Sequence, residues 1–176
     1  MAAIIKAETG WHTGEKEMQR LLRVPDMDNP TQPYLTPNAY TRLMQSPLLA
    51  VGTLDTDGRP WTTIWAGERG FVRPIAQSIM GLKTTVDRCF DPVVDILLGN
   101  STNGEVQREE GAGRMVSALG IDLQTRSRVK LYGRMVVGAL TATEEGVGEV
   151  QLAVKIEQSL GKLMDSISTG NFANLL

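Results

Sequence analysis

The hydrophobic and polar positions between residues 48 and 66 predict a β-hairpin. An apolar run, Leu48–Leu54, is followed by the turn signal Asp57-Gly58 and by a second run, Pro60–Ala66, in which threonines alternate with apolar residues. Two such runs joined by an Asp-Gly turn are typical of a hairpin with one buried face. Threonine also favours strands through its β-branched shape alone, so the hairpin by itself indicates structure rather than function.

The period-two pattern continues through the rest of the chain. It predicts strands at residues 114–122, 128–140 and 149–160, with turns at 125–127 and 141–148. Residues 71–75 and 78–82 form either one interrupted strand or two short ones. Residues 100–113 are polar and glycine-rich, which predicts a long loop.

Helices are predicted at residues 14–22, 37–45 and 92–98, with Thr13, Thr36 and Asp91 as their N-caps. Strands do not alternate regularly with helices, which argues against a parallel sheet. We therefore expect a mainly β protein, an antiparallel β-barrel of about six strands with peripheral helices.

Length and composition limit the classes of partner. A chain of 176 residues favours one domain with extensions, and its net charge of −2 gives no general attraction to nucleic acid or to an anionic membrane. A single cysteine leaves no disulfide framework, which fits a reducing compartment. No apolar run approaches the length of a membrane span, and the first residues lack the apolar core of a secretory signal. We therefore expect a cytoplasmic protein with no nucleic-acid or membrane partner.

Several familiar kinds of site are missing from the sequence. His12 is the only histidine and Cys89 the only cysteine, so a zinc site of ordinary composition and a histidine-dependent triad are not expected. The chain contains no phosphate-binding P-loop, and no glycine-rich dinucleotide motif follows a predicted strand. We make no prediction of a catalytic residue, and we expect no metal ligand.

A cluster of cations offers one candidate for ligand binding. Arg126 lies in a predicted turn, and Arg128, Lys130 and Arg134 share one face of the strand that follows. Arginine presents paired donors that match phosphate oxygens, so this face is able to bind a phosphate. A solvated barrel face of lysine and arginine gives the same pattern, and the residues alone leave both interpretations open.

The second strand of the hairpin offers another candidate. Trp61, Thr63 and Trp65 share one face of the strand, whereas Thr62 and Ile64 share the other. Tryptophans two residues apart either fill a core or an interface, or stack on a flat ligand. Lys83, Thr84 and Thr85 add a cation and two hydroxyls at a later strand end, which is a weak signal when taken alone.

Taken in order, these segments resemble a known family. The motifs are the run from Val51 to Trp61, then Gly70-Phe71-Val72-Arg73, Asp91-Pro92, and the run from Gly120 to Arg128. Together they are similar to the pyridoxamine 5′-phosphate oxidase-like FMN-binding split-barrel flavoproteins, in an uncharacterised fungal and bacterial branch. The chain departs from the phosphate motif of the oxidase itself, of which it retains only the final lysine, Lys83.

The resemblance implies a fold, a cofactor and a partner. The fold is a six-stranded antiparallel split β-barrel that forms a homodimer, with FMN in a groove between the two subunits. The flavin ring or its ribityl chain would contact Trp61, Thr62, Thr63 and Ile64. The phosphate would contact Lys83 and Thr84, with Arg126 and Arg128 reaching it from the later hairpin, across the dimer.

The same resemblance implies a domain organisation. It divides the chain into a helix and proline-rich lead-in (residues 1–36), the flavin-binding barrel (37–161) and a tail (162–176). The tail is atypical of the family, and its first residues are what a translated intron start would encode.

The implied function is an FMN-dependent oxidoreductase that exchanges electrons with a small-molecule substrate or a reduced nicotinamide. A non-catalytic dimer that holds flavin or haem is the alternative, as is an inactive truncated product.

Overall fold

Three helices and eight strands make up the described part of the chain. The structure is a computed structural model, and it describes residues 10–25, 28–99 and 103–161. The helices are α1 (Thr13–Leu21), α2 (Pro37–Gln45) and α3 (Pro92–Leu98). The strands are β1 (Leu48–Leu54), β2 (Pro60–Ala66), β3 (Val72–Ala76), β4 (Ile79–Asp87), β5 (Val106–Arg108), β6 (Met115–Asp122), β7 (Ser127–Glu144) and β8 (Val147–Gly161).

The strands form one antiparallel sheet in the order β2-β1-β6-β7-β8-β4-β3, with β5 paired to β7. The sheet curls until β2 approaches β4, and no strand pairing joins these two strands in the described residues. A side chain connects them instead, because the Thr84 hydroxyl donates a hydrogen bond to the Ala66 carbonyl at 2.5 Å. The barrel is therefore split along this line, which we call the seam. The predicted antiparallel barrel with peripheral helices is confirmed.

The hairpin of β1 and β2 has the predicted bounds, but other strands are longer than predicted. Strand β4 continues to Asp87, and β7 and β8 extend so far that the predicted turn at 141–148 is wrong. Only residues 145 and 146 separate them, with Gly146 at φ +74°. The polar residues that suggested a turn lie on a hairpin with a solvated face, where strands tolerate them. Part of the predicted loop at 100–113 is strand β5.

The helix caps differ from the prediction at one of three positions. Thr13 is the first residue of α1, and its predecessor His12 is the cap. The His12 Nδ1 accepts a hydrogen bond from the Gly14 N–H at 3.1 Å, and the Glu15 carboxylate accepts one from the His12 N–H at 2.8 Å. This exchange is a capping box, in which histidine replaces the usual serine or threonine. The caps at Thr36 and Asp91 are confirmed.

The core lies inside the barrel and beneath α2 and α3. Alternate residues of β1, β4, β6, β7 and β8 point inward, and Leu49, Val51, Met80 and Val154 have no exposed surface. Helix α3 packs four buried side chains against the sheet, whereas α1 buries none. No helix in the described ranges is both long and apolar enough to cross a membrane. The predicted division into lead-in, barrel and tail stays a prediction, and residues 162–176 lie outside the described part.

Candidate functional site

The outer face of the barrel carries a wide depression because its central residues are small. Gly81 on β4 is opposite Ala153 on β8, and Ala139 on β7 is their neighbour one row away. All three belong to a groove of about 1070 Å³ whose sides include Ile75, Lys83, Gln151 and Val106. We call this groove the outer trough. Its volume is at the upper limit of the range typical of small-molecule sites.

Gly81 is required by the packing of the trough rather than by its backbone conformation. A Cβ atom added there would lie 2.6 Å from Cδ1 of Ile75, which crosses over the glycine from the neighbouring strand β3. Ile75 is 63% exposed, so this apolar side chain forms part of the trough wall rather than of the core. The glycine therefore allows an apolar side chain to lie flat on the sheet.

Two oppositely charged residues and an amide line one side of the trough. Lys83 Nζ lies 3.0 Å from a Glu149 carboxylate oxygen, and the Gln151 side chain donates a hydrogen bond to the other oxygen at 2.8 Å. The bond from Gln151, followed by that from Lys83, lowers the pKa of Glu149 below its ordinary value. Glu149 is therefore ionised at neutral pH and partly neutralises Lys83.

A second, smaller groove follows the seam. It measures about 420 Å³, and Thr63 and Ile64 of β2 face Thr85 of β4 across it. Ile64 is 63% exposed and Phe90 is 87% exposed, which gives this seam groove an uncovered apolar surface. Ala66 and Thr85 line both grooves, so the two concavities adjoin at these residues.

Asp91 joins the second strand to helix α3 at the bottom of the seam groove. One carboxylate oxygen accepts hydrogen bonds from the backbone N–H groups of Val93 and Val94, at 2.9 and 3.2 Å. The other accepts from the Thr63 hydroxyl at 2.9 Å and from the Trp65 indole N–H at 2.8 Å. Since no strand among the described residues pairs with β2 on this side, the carboxylate fixes the position of β2 relative to the helix.

Asp55 holds the turn of the β1–β2 hairpin rigid. Its carboxylate accepts hydrogen bonds from the Trp61 indole N–H at 3.0 Å, from the Arg59 side chain at 2.8 Å, and from the backbone N–H groups of Arg59 and Asp57. These bonds, that of Trp61 first, hold the pKa of Asp55 far below its ordinary range despite some desolvation. The Trp61 indole N–H is therefore engaged by the hairpin itself.

The structure brings together four of the eight predicted cofactor residues. Thr63 and Ile64 line the seam groove, and Lys83 and Thr84 line the outer trough that adjoins it. Thr84 is nearly buried, with its hydroxyl engaged at the seam. These residues come from different strands, and the curl of the sheet makes them neighbours.

The other four predicted residues lie outside these grooves. Trp61 lies against Asp55, and Thr62 faces Gly52 on the outside of the sheet. Arg126 lies in the β6–β7 turn with a φ of +56°, and Arg128 is exposed at the start of β7. The sequence leaves open whether the tryptophans fill the core or stack on a ligand. Trp65 is 3% exposed and therefore belongs to the core.

Sequence reasoning missed three residues of this site. Arg73 is only part of a motif in the sequence, Glu149 is the first residue of a predicted strand, and Asp91 is a helix cap and part of a motif with no binding role assigned. The alternation of β3 and β8 places Arg73 and Glu149 outward, but it does not show that they share a trough. The bond from Trp65 to Asp91 spans 26 residues, so no local pattern shows it.

Comparisons with known proteins identify similar folds only. No protein-family model matches the chain, and no curated protein is detectably similar. A structure from Lactobacillus delbrueckii, provisionally assigned as a pyridoxamine 5′-phosphate oxidase, is 12% identical and has a TM-score of 0.42, covering 73% of this chain and 99% of its own. HupZ of Group A Streptococcus is 11% identical with a TM-score of 0.41, over 72% and 92% of the two chains. A protein named F420 reductase is 12% identical with a TM-score of 0.42, over 70% and 98%.

Replacing Thr84 with valine is expected to lower the free energy of unfolding by about 1 to 2 kcal/mol, because Ala66 loses its side-chain donor at the seam. Valine keeps the shape of threonine, and urea denaturation measures the change. The control is Thr85→Val, which alters an outward-facing hydroxyl and is expected to stay within about 0.5 kcal/mol of the parent. Equal stabilities of the two variants would contradict the role of Thr84 in closing the barrel.

Proposed function

We propose that the chain binds FMN across the adjoining seam groove and outer trough, and that it acts as an FMN-dependent oxidoreductase. One observation carries the proposal: the groove lined by Thr63 and Ile64 adjoins the groove lined by Lys83 and Thr84. These are residues that the family resemblance assigns to the two ends of the cofactor.

The chemistry of the groove matches the two parts of FMN. A flavin ring is flat and apolar with a polar edge, and the seam groove offers exposed Ile64 and Phe90 beside the hydroxyls of Thr63 and Thr85. The outer trough offers the ammonium group of Lys83 for a phosphate. Apolar walls with a few directed polar groups are the usual composition of a cofactor site.

The bound flavin supplies the redox chemistry in this proposal, and the chain supplies binding and orientation. Thr63 would orient the ring edge, since its hydroxyl is itself held by Asp91. Ile64 would cover part of the ring face and exclude water from it. No protein nucleophile is needed for electron exchange with a small-molecule substrate or a reduced nicotinamide.

A second copy of the chain is part of the proposal. Ile64 and Ile75 are each 63% exposed beside the grooves, and a homodimer would cover them. Arg126 and Arg128 lie outside the grooves of a single chain, so their predicted contact with the phosphate requires a partner subunit. The single cysteine, Cys89, fits a cytoplasmic location.

The test is flavin binding followed by reduction. Purified full-length protein mixed with FMN is expected to retain a flavin spectrum after gel filtration, at one FMN per chain. Anaerobic addition of NADH or NADPH is then expected to bleach that spectrum. Bound flavin that dithionite reduces but no reduced nicotinamide or other biological donor reduces would favour the non-catalytic binder. A haem spectrum would favour the haem alternative. A colourless protein that ignores added FMN would overturn the proposal.

A further inference from the structure

A second cation lies beside Lys83 on the outer face of the barrel. Arg73 on β3 is directly opposite Gly81 on β4, and Lys83 is two residues further along the same strand. The two cations are therefore diagonal neighbours on adjacent strands, which are typically about 7 to 8 Å apart, with their Cβ atoms somewhat closer. Both side chains line the outer trough.

Arg73 is the uncommitted member of this pair. Lys83 is paired with Glu149, whereas the Arg73 guanidinium makes no hydrogen bond or ion pair within the described ranges. Its neighbour across the strand is Gly81, over which Ile75 lies, and the next residue in the same row is Ala153, so the trough beside Arg73 is lined by one apolar side chain and two small residues, with no competing charge in that row. A planar guanidinium is also the better phosphate ligand, because it donates two parallel hydrogen bonds.

The acidic groups facing the trough restrict where an anion can bind. Glu68 and Glu149 both line it, and Glu149 is held beside Lys83. A phosphate close to Lys83 would also meet this carboxylate. The position between Arg73 and Lys83, on the side away from Glu149, is the more favourable one.

We propose that Arg73 is the principal phosphate-binding residue of the trough, with Lys83 as its second cation, and that the ligand is a phosphate monoester such as that of FMN. The proposal rests on the groove assigned above to the flavin. It assigns the main phosphate contact to a residue of the same chain rather than to Arg126 and Arg128. It also implies that the negative charge of Glu149 weakens phosphate binding.

The test compares FMN with riboflavin, which lacks the phosphate. Arg73→Gln is expected to weaken FMN at least about tenfold, since a charge-assisted contact is lost, and to change riboflavin less than about twofold. Lys155→Gln, which removes a cation of the same outer face outside the trough, is the matched control and is expected to leave the two affinities within about twofold. Arg126→Gln and Arg128→Gln test the competing contact across the dimer, and each is expected to weaken FMN less than Arg73→Gln does. Flavin fluorescence titration measures both affinities for all five proteins, parent included.

The outcomes separate this inference from the proposed function. If Arg73→Gln leaves the ratio of FMN to riboflavin affinity unchanged, the inference is overturned while flavin binding stands. The same holds if Arg128→Gln, and not Arg73→Gln, weakens FMN without weakening riboflavin. If the parent protein binds neither flavin, the proposed function fails, and inorganic pyrophosphate then tests Arg73 by calorimetry. Binding that Arg73→Gln abolishes would support the anion site, and no binding to the parent would overturn it.

Glu149→Gln tests the opposing charge. The amide removes a carboxylate from the trough and releases Lys83, so FMN is expected to bind about threefold more tightly with riboflavin unchanged. The gain should shrink in high salt, because exposed charges are screened. Weaker FMN binding in this variant would contradict the opposing role and indicate that Glu149 positions Lys83 for the ligand.

Discussion

Replacing Asp91 with alanine is expected to lower the free energy of unfolding by about 3 kcal/mol. The helix cap of α3 contributes about 1 kcal/mol, and leaving the buried Trp65 indole N–H without an acceptor costs about 1 to 3 kcal/mol more. Both contacts run through one carboxylate, whose oxygens divide between the helix and the second strand. Urea denaturation measures the loss, and the emission of Trp65 should shift as its surroundings become wetter.

Asp91→Asn separates the two halves of this role. Asparagine caps helices as well as aspartate does, but with its single amide oxygen on the helix its NH2 group faces the indole N–H, which is then left without an acceptor. We therefore expect Asp91→Asn to lose the contact with the second strand and to keep the helix cap. The resulting loss of unfolding free energy should vanish when Trp65→Phe removes the indole donor. A double-mutant cycle measures that coupling. No coupling between Asp91 and Trp65, or a stability of Asp91→Ala within about 0.5 kcal/mol of the parent, would contradict the assigned contacts.

Most of the fold could be predicted from local patterns. The β1–β2 hairpin has the predicted bounds because its turn and its alternation are both local signals. The caps Thr36 and Asp91 could be predicted because each is a good capping residue directly before a proline, which favours the first helical position. The predicted strands of the β7–β8 hairpin end too early, because the polar residues near its tip look like a long turn. In the structure these residues pair across the hairpin, as Thr141 does with Glu149.

The candidate site could be predicted only in part, because it depends on which strands become neighbours. Lys83 is recognisable as an outward cation, but Glu149 becomes its partner only through the antiparallel register of β4 and β8. The trough exists because Gly81 and Ala153 are paired, and nothing near either residue in the sequence shows this. The resemblance named residues of β2 and β4 together, which the curl of the sheet supports, but it did not assign a role to Arg73.

Replacing Ala153 with phenylalanine is expected to weaken the binding of both FMN and riboflavin about a hundredfold. Ala153 lies on the floor of the outer trough, opposite Gly81, so a ring there would occupy the space that the ligand needs. The fold should survive, because the position points outward and phenylalanine favours strands. Titration of flavin fluorescence measures both affinities, and urea denaturation is expected to place the variant within about 0.5 kcal/mol of the parent.

Lys155→Phe is the matched control for this variant. It adds the same ring to the same strand and the same outer face, two residues further along, at an exposed position outside the trough. It also removes a positive charge, and riboflavin separates that effect, because the uncharged flavin responds to the ring alone. Unchanged riboflavin binding in Lys155→Phe beside a large loss in Ala153→Phe would locate the flavin in the trough. Undiminished binding of both flavins by Ala153→Phe would show that the trough is not the flavin site, since no ligand can share the floor with the added ring.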